Sequence, residues 1–362
     1  MKELTIFCPT IGVGGVEKNL YLILNYLIKK NLKINLITCN YEKKKYLHKK
    51  INIIGPNNKN FSKSNQIFKI IICLIYFFKS GLIKKKTILF SFQSNIYLII
   101  VAYLTNHKII SRINASPDIY LKNPIKRFLF SKIYKFSNIV IVNSYDLKKK
   151  VKKFLNIESK MIYNPAYTKR VNRLKLRNLG IRKKKQVNLL NVGRLTYQKN
   201  QLLLLKAFNE LKGFDYKLTI IGNGSEENNL KNFIRINKLQ KKIKIIKNIT
   251  NIKKFLINCD VFILTSRFEG LPNVLIEAQI MNKFIISSNC PTGPREILMN
   301  GKAGYLFKNN DLADLKIKIK KFFSMRNDIE ILKKIKYGYK NLTRFDANDN
   351  LYKYYKEIIK IQ

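Results

Sequence analysis

The chain has 362 residues, too many for one ordinary domain and enough for two that each bury a core, and its 46% hydrophobic content separates it from disordered chains. A formal net charge of +50 admits nucleic acid, an anionic membrane surface, or a composition rich in Lys throughout; no nucleic-acid-binding motif accompanies the charge, so nucleic acid is set aside as a partner. Five widely spaced cysteines, with His48 and His107 as the whole histidine complement, give no metal-ligand spacing, no Ser-His-Asp triad and no disulfide framework, and point to reduced thiols in the cytoplasm.

Residues 4–8 have the apolar pattern of a first strand, which Met1-Lys-Glu enters directly with no secretory leader. The glycine-rich loop Pro9-Thr-Ile-Gly-Val-Gly14-Gly15 follows, then a helix over 17–30 with Leu20, Leu24, Leu27 and Ile28 on one face. Strand, glycine loop and helix together present backbone amides to a phosphate. Residues 33–39 alternate as a strand. The apolar stretch 67–83 is interrupted by Lys69 and Lys79. Its clean core is shorter than the ~20 residues of a spanning helix, so it reads as a buried helix, with an interfacial one as the alternative. Further strands are expected at 87–91, 108–111 and 138–144, with helices between them. Ser111-Arg112-Ile-Asn114 leaves the second of these at its carboxyl end. Around Lys122, Lys126, Arg127, Lys132 and Lys135, interleaved with Phe128, Leu129, Phe130 and Tyr134, a basic amphipathic helix is expected to meet anionic lipid.

Residues 168–186 are dense in Lys and Arg and read as a linker. A second run of alternating strands and helices begins at 187–192 and passes into Gly193-Arg194-Leu-Thr-Tyr-Gln-Lys199-Asn200. An Arg and a Lys this close at a strand-to-helix turn can hold a diphosphate from two directions, one as a bidentate fork and one as a point charge. Residues 217–221 form the next strand and Gly222-Asn-Gly224 its turn; another strand is expected at 241–246. Residues 259–265 and 283–288 read as strands flanking Ser266-Arg-Phe-Glu269-Gly270-Leu271-Pro-Asn-Val-Leu-Ile-Glu277-Ala. Glu269 then lies at a strand's carboxyl end, where open α/β sheets bind ligands, and the amides near Gly270 and Leu271 can hold an anion. Helices at 311–321 and 325–339 precede a last one at 351–359.

The stretch from Glu269 to Glu277 resembles the E-x7-E signature of retaining glycosyltransferases of family 4 with the GT-B fold. Gly14-Gly15-Val-Glu-Lys18, Gly193-Arg194 through Lys199-Asn200, Ser287 through Ile297 and Gly301 through Phe307 resemble that family as well. The resemblance implies an α/β chain of two Rossmann-like domains facing a central cleft, at 1–167 and 187–342, with a C-terminal helix over 343–362 crossing back to the first. It implies that Glu277 holds the donor's ribose, Glu269 its sugar hydroxyls, and Arg194 and Lys199 its diphosphate. Gly14, Gly15, Gly193, Gly222, Gly270 and Leu271 complete the donor site, Gly14 and Gly15 from the gap between domains. Arg112 and Asn114 stand where many members carry a His that meets the acceptor. The implied reaction transfers a hexose or N-acetylhexosamine from a nucleotide-diphosphate sugar, the co-substrate, with no metal and no other cofactor. Cys290-Pro-Thr-Gly-Pro-Arg-Glu-Ile resembles members that extend lipid-linked glycans or lipopolysaccharide. This places the chain at the inner face of the cytoplasmic membrane as a peripheral protein. The alternatives are a GT-B nucleotide-sugar epimerase and a transferase with a soluble acceptor.

Overall fold

A computed structural model describes residues 3–12, 14–39, 47–56, 61, 64–85, 87–167, 186–249, 251–326 and 328–361. The expected linker at 168–186 therefore lies outside the described residues except for Gln186. The chain forms two compact units, Met1–Pro165 with Ala347–Gln362, and Ala166–Asp346.

In the first unit β1 (Glu3–Phe7), α1 (Gly15–Lys29), β2 (Lys33–Ile37) and β3 (Asn52–Ile54) come first. Then follow α2 (Gln66–Lys79), β4 (Ile88–Ser91), α3 (Asn95–Leu104) and β5 (Ile109–Ile113). The rest are α4 (Pro117–Tyr120), α5 (Pro124–Tyr134), β6 (Ile139–Val142), α6 (Tyr145–Leu155) and β7 (Lys160–Met161). The strands pair in parallel in the order β3-β2-β1-β4-β5-β6-β7. They are short apolar runs because a parallel sheet is covered on both faces.

The second unit contains β8 (Val187–Val192), α7 (Gln201–Glu210), β9 (Tyr216–Ile221), α8 (Glu227–Ile236) and β10 (Ile243–Ile246). Next come α9 (Lys253–Asn258), β11 (Val261–Leu264), α10 (Asn273–Ile280) and β12 (Phe284–Asn289). It closes with α11 (Pro294–Ile297), β13 (Tyr305–Lys308), α12 (Leu312–Met325) and α13 (Ile329–Lys340). Its sheet is parallel in the order β10-β9-β8-β11-β12-β13. The order reverses between β8 and β11, where Leu189 pairs with Val261. Such a switch point splays the turns that follow the two strands and leaves a crevice at their carboxyl ends.

The C-terminal helix α14 (Ala347–Lys360) belongs to the first unit. It begins after a 3-10 turn at Asn341–Phe345, so the helix expected from 343 starts at Ala347. Ala347, Leu351, Tyr354 and Ile358 recur at helical spacing and pack with Leu20, Ile23 and Leu24 of α1 against one face of the sheet. On the other face Ile70, Cys73 and Phe77 of α2 share a core with Leu98 and Ile99 of α3, Tyr134 of α5 and Leu147 of α6. All five cysteines are buried free thiols. The stretch expected to be a buried helix is α2, and only its inner face is buried. Ile67, Phe68, Ile71, Ile75 and Phe78 are exposed, because the unbroken apolar run from Ile70 to Phe78 fills the outer face as well as the inner one.

Arg112 departs most from its expected place. At the end of β5 it is 1% exposed, one of the largest fully buried side chains, with its guanidinium taken up by neighbours inside the first unit. Its Nε donates to Tyr354 Oη at 2.9 Å and its Nη2 to Asn164 Oδ1 at 2.8 Å. Its Nη1 donates to Asn114 Oδ1, and the guanidinium sits 4.6 Å from the centre of the Phe92 ring. The sheet's fifth strand is thereby bolted to α14 through a cation whose named partners are all neutral. Replacing Arg112 with Met is expected to destabilise the first unit by about 3 kcal/mol, since three acceptors lose a buried charged donor. Tyr354→Phe removes one of those bonds and is expected to cost about 1 kcal/mol. Urea unfolding of both variants checks the ranking.

Candidate active site

Around the switch point of the second unit, backbone meets backbone closely. The turn after β8 carries Gly193, whose N–H donates to Ile221 O at 3.0 Å. A Cβ on Gly222 would fall 1.9 Å from Gly193 O, and one on Gly224 2.1 Å from Leu195 O. Both positions in the turn after β9 therefore need glycine for contact, not for conformational freedom. A Cβ on Gly193 would lie 3.2 Å from the Lys199 side chain, so the bare backbone there is the track along which Lys199 runs.

Lys199 runs to Glu269. Its Nζ is 2.5 Å from Glu269 Oε1, and Ser266 Oγ donates to the same oxygen at 2.6 Å. The two side chains are 15% and 7% exposed, so solvent screens this pair little. Main-chain bonds fix its geometry. Thr265 Oγ1 donates to Lys199 O at 3.0 Å, Gln198 Nε2 to Phe268 O at 2.9 Å, and Arg267 N to Gln198 O at 2.8 Å. The turn after β8 and the turn after β11 are thus one rigid structure.

A third turn supports it from behind. Thr292 Oγ1 donates to Glu269 O. Gly293 has φ +89°, and a Cβ there would lie 2.3 Å from Gly270 O and 2.7 Å from Pro272 Cδ. The turn after β12 can press against Gly270 only because residue 293 is glycine. Burial, then the charge of Glu269, pushes the Cys290 thiol far above its ordinary range, so it is an inert neutral group here. Ser266, Thr292 and Gly293 were not singled out from sequence as site residues. A Ser three residues before Glu269 was the one local signal; the other two contacts span more than twenty residues.

Arg194 is exposed, with Nη2 3.4 Å from Gln198 Oε1, so its fork is held at the rim of the turn. Glu277 is half-buried on α10, which starts directly after Pro272. Pro272 occupies the cap position, and Gly270 and Leu271 precede it in the turn. The structure thus collects Gly193, Lys199, Gly222, Glu269 and Gly270 around one switch point, with Arg194 at its rim and Glu277 on the helix that leaves it.

Gly14 and Gly15 lie in the first unit, at the start of α1. Glu17 Oε1 accepts from Gly12 N at 3.4 Å, and a Cβ on Gly14 would come within 2.8 Å of Glu17 Oε2. The glycine loop therefore wraps its own carboxylate. Asn114 is half-buried, donating to Phe92 O at 2.9 Å while its Oδ1 faces Arg112. Among the described residues no cluster of three or more His, Cys, Asp or Glu is placed to hold a metal ion.

The sequence model of the family described as glycosyl transferases group 1 matches residues 172–341. An uncharacterized glycosyltransferase of Methanocaldococcus jannaschii is 34% identical over 49% of this chain and 48% of its own. The Campylobacter jejuni N-acetylgalactosamine-N,N'-diacetylbacillosaminyl-diphospho-undecaprenol 4-alpha-N-acetylgalactosaminyltransferase is 28% identical over 58% of this chain and 59% of its own. The chain thus spans about half the length of these curated relatives. In fold, Anabaena HepE in complex with UDP superposes with a TM-score of 0.77 at 14% identity, covering 99% of this chain and 100% of the other.

Proposed function

From the match of residues 172–341 to the glycosyl transferases group 1 family we propose that the chain is a retaining glycosyltransferase of family 4 acting on a lipid-linked glycan. The donor is a nucleotide-diphosphate hexose or N-acetylhexosamine. The observation that carries this reading is the buried Lys199–Glu269 pair at the switch point, with Arg194 on the same turn.

The chemistry asks for such an arrangement. Breaking the bond from sugar to diphosphate leaves an oxocarbenium-like sugar and puts further negative charge on the leaving group. Preorganised cations and amides aimed at that charge stabilise it most efficiently. Lys199 is shared between Glu269 and the diphosphate; Arg194 supplies a planar fork and the turn at Gly270–Leu271 backbone amides. With two fixed cations supplying the charge, no divalent metal is needed. Glu269 accepts from the donor-sugar hydroxyls and Glu277 from the ribose. No covalent nucleophile takes part; the leaving phosphate takes the acceptor's proton on the face it departs from. Gly14 and Gly15 are assigned to the donor and Asn114 to the acceptor, whereas Arg112 acts through the position of Asn114.

The choice of acceptor draws on the C. jejuni relative, whose name specifies a diphospho-undecaprenol substrate. No helix among the described residues is long and apolar enough to cross a membrane. A peripheral position at the inner face of the cytoplasmic membrane suits a protein that takes its donor from solution and its acceptor from lipid.

A panel of UDP- and GDP-sugars, scored by protection against thermal unfolding, tests the donor. The correct one at 100 times its Kd is expected to add about 2.7 kcal/mol. Absence of protection by every nucleotide-sugar would remove the donor site. A donor sugar altered without acceptor would favour epimerisation instead.

A further inference from the structure

The outer side of the first unit carries a surface that the transfer chemistry does not use. Helices α2, α3 and α5 cover one face of its sheet, their inner residues sharing a single core. Outward, α2 presents Ile67, Phe68, Ile71, Ile75 and Phe78, each between 45% and 61% exposed. At the end of α3, Tyr103 and Leu104 are 61% and 74% exposed. From α5, whose one buried residue is Tyr134, come Ile125, Phe128 and Leu129 at 70%, 60% and 53%. Rings of Tyr103 and Phe136 lie 4.2 Å apart and join the outer side of α3 to the turn that follows α5. Among the described residues of the second unit the exposed large apolar side chains are Tyr197, Ile236, Ile257, Ile317 and Ile329, no two on the same helix. A uniform drift in composition would have treated both units alike.

Charge says what covers this face. Between Glu42 and Asp146 the chain has one acidic residue, Asp118, and that is paired with Lys150. Exposed cations surround the apolar groups: Lys79, Lys84 and Lys108 beside α2 and α3, and Lys126, Arg127 and Lys132 on α5. Lys126 Nζ lies 5.6 Å from the Phe130 ring centre and Lys132 Nζ 5.2 Å from that of Phe128, each stem lying along an aromatic. This is the form long cations take where an apolar layer meets a charged one. A second copy meeting through the same face would set cations against cations. Nor can α2 cross a bilayer, for 14 residues of helix reach about 21 Å against a hydrocarbon core of about 30 Å.

We propose that the outer faces of α2, α3 and α5 form one surface that inserts into the headgroup layer of an anionic phospholipid membrane, with α2 as its apolar edge and α5 as its cationic one. Its biological purpose rests on the lipid-linked acceptor proposed above; the insertion itself does not. Apolar contact and attraction to anionic lipid act together in such surfaces, so binding has a salt-sensitive part and a salt-resistant part.

The chain contains no Trp, so a single introduced one reports on its own surroundings. Ile75→Trp marks the proposed edge, and Ile317→Trp, 58% exposed on α12, serves as control. With vesicles of phosphatidylcholine and phosphatidylglycerol, emission of the Ile75→Trp chain is expected to shift to the blue and be quenched by brominated acyl chains; that of the Ile317→Trp chain is not. Phe68→Ser/Ile71→Ser/Ile75→Ser should weaken vesicle binding at least tenfold at every salt concentration. Lys126→Ser/Arg127→Ser/Lys132→Ser should weaken it chiefly at low salt. Thermal protection by the nucleotide-sugar should be unchanged in both triple variants, which shows them folded and keeps this test apart from that of the donor site. Equal quenching at both tryptophans, equal affinity for pure phosphatidylcholine, or a blue shift already present without vesicles in a dimeric chain would overturn the proposal.

Discussion

Changing either Arg194 or Lys199 to Ala is expected to lower turnover about 100-fold or more, the loss seen when one preorganised charge-stabilising donor is removed. The two variants should differ in every other respect. Arg194 is exposed and its one modest contact is to Gln198, so Arg194→Ala should unfold like the parent chain. Lys199 neutralises a carboxylate that is 7% exposed. Its removal leaves Glu269 with Ser266 as its hydrogen-bond donor, and should cost about 3 kcal/mol of stability as well. Lys199→Ala/Glu269→Gln should recover most of that stability and none of the turnover, because the buried charge goes with its partner. Steady-state kinetics with the donor identified by thermal protection, alongside urea unfolding, separates the two effects. Near-normal turnover in both single variants would sink the diphosphate assignment.

Glu269 and Glu277 should fail in different ways. The ribose does not change during reaction, so an interaction with it binds ground state and transition state alike. Glu277→Ala is therefore expected to weaken nucleoside diphosphate and nucleotide-sugar together, raising KM more than it lowers kcat. The sugar gains charge and flattens, so a carboxylate on its hydroxyls matters most in the transition state. Glu269→Ala should leave nucleoside diphosphate affinity nearly intact while kcat falls by about 100-fold. Glu269→Gln should recover little, since an amide accepts more weakly than a carboxylate. Calorimetry with nucleoside diphosphate beside kinetics decides between them; diphosphate affinity lost in Glu269→Ala and kept in Glu277→Ala would reverse the two roles.

Much of the second unit was legible in the sequence, because its signals are local. Strands β8 and β11 are apolar runs ending in turns whose Gly, Arg, Lys and Glu lie within a few residues of one another. What joins the turns was not. Gly222 is glycine because of Gly193 O, and Gly293 because of Gly270 O, contacts between segments more than twenty residues apart. Arg112 illustrates the same limit: an Arg at a strand's carboxyl end reads as a candidate acceptor contact until Tyr354, 242 positions later, is known to meet it. For α2, periodicity could not separate a buried helix from a half-exposed one, since its pattern is apolar on both sides.

The bond between Arg112 and Tyr354 also bears on how the chain is made. The second unit, Ala166–Asp346, is inserted in sequence between the body of the first unit and that unit's own α14. On the ribosome every strand of the first sheet emerges before the second unit begins, yet the helix that covers α1 and accepts from Arg112 comes after it. The earlier half thus waits, with one flank of its sheet covered by α1 but not by α14 and a cation short of a partner, while the later half has all its segments in hand and can close as a unit. Order of synthesis and order of completion are reversed. A released chain ending at residue 346 would hold a finished second unit and an unfinished first one.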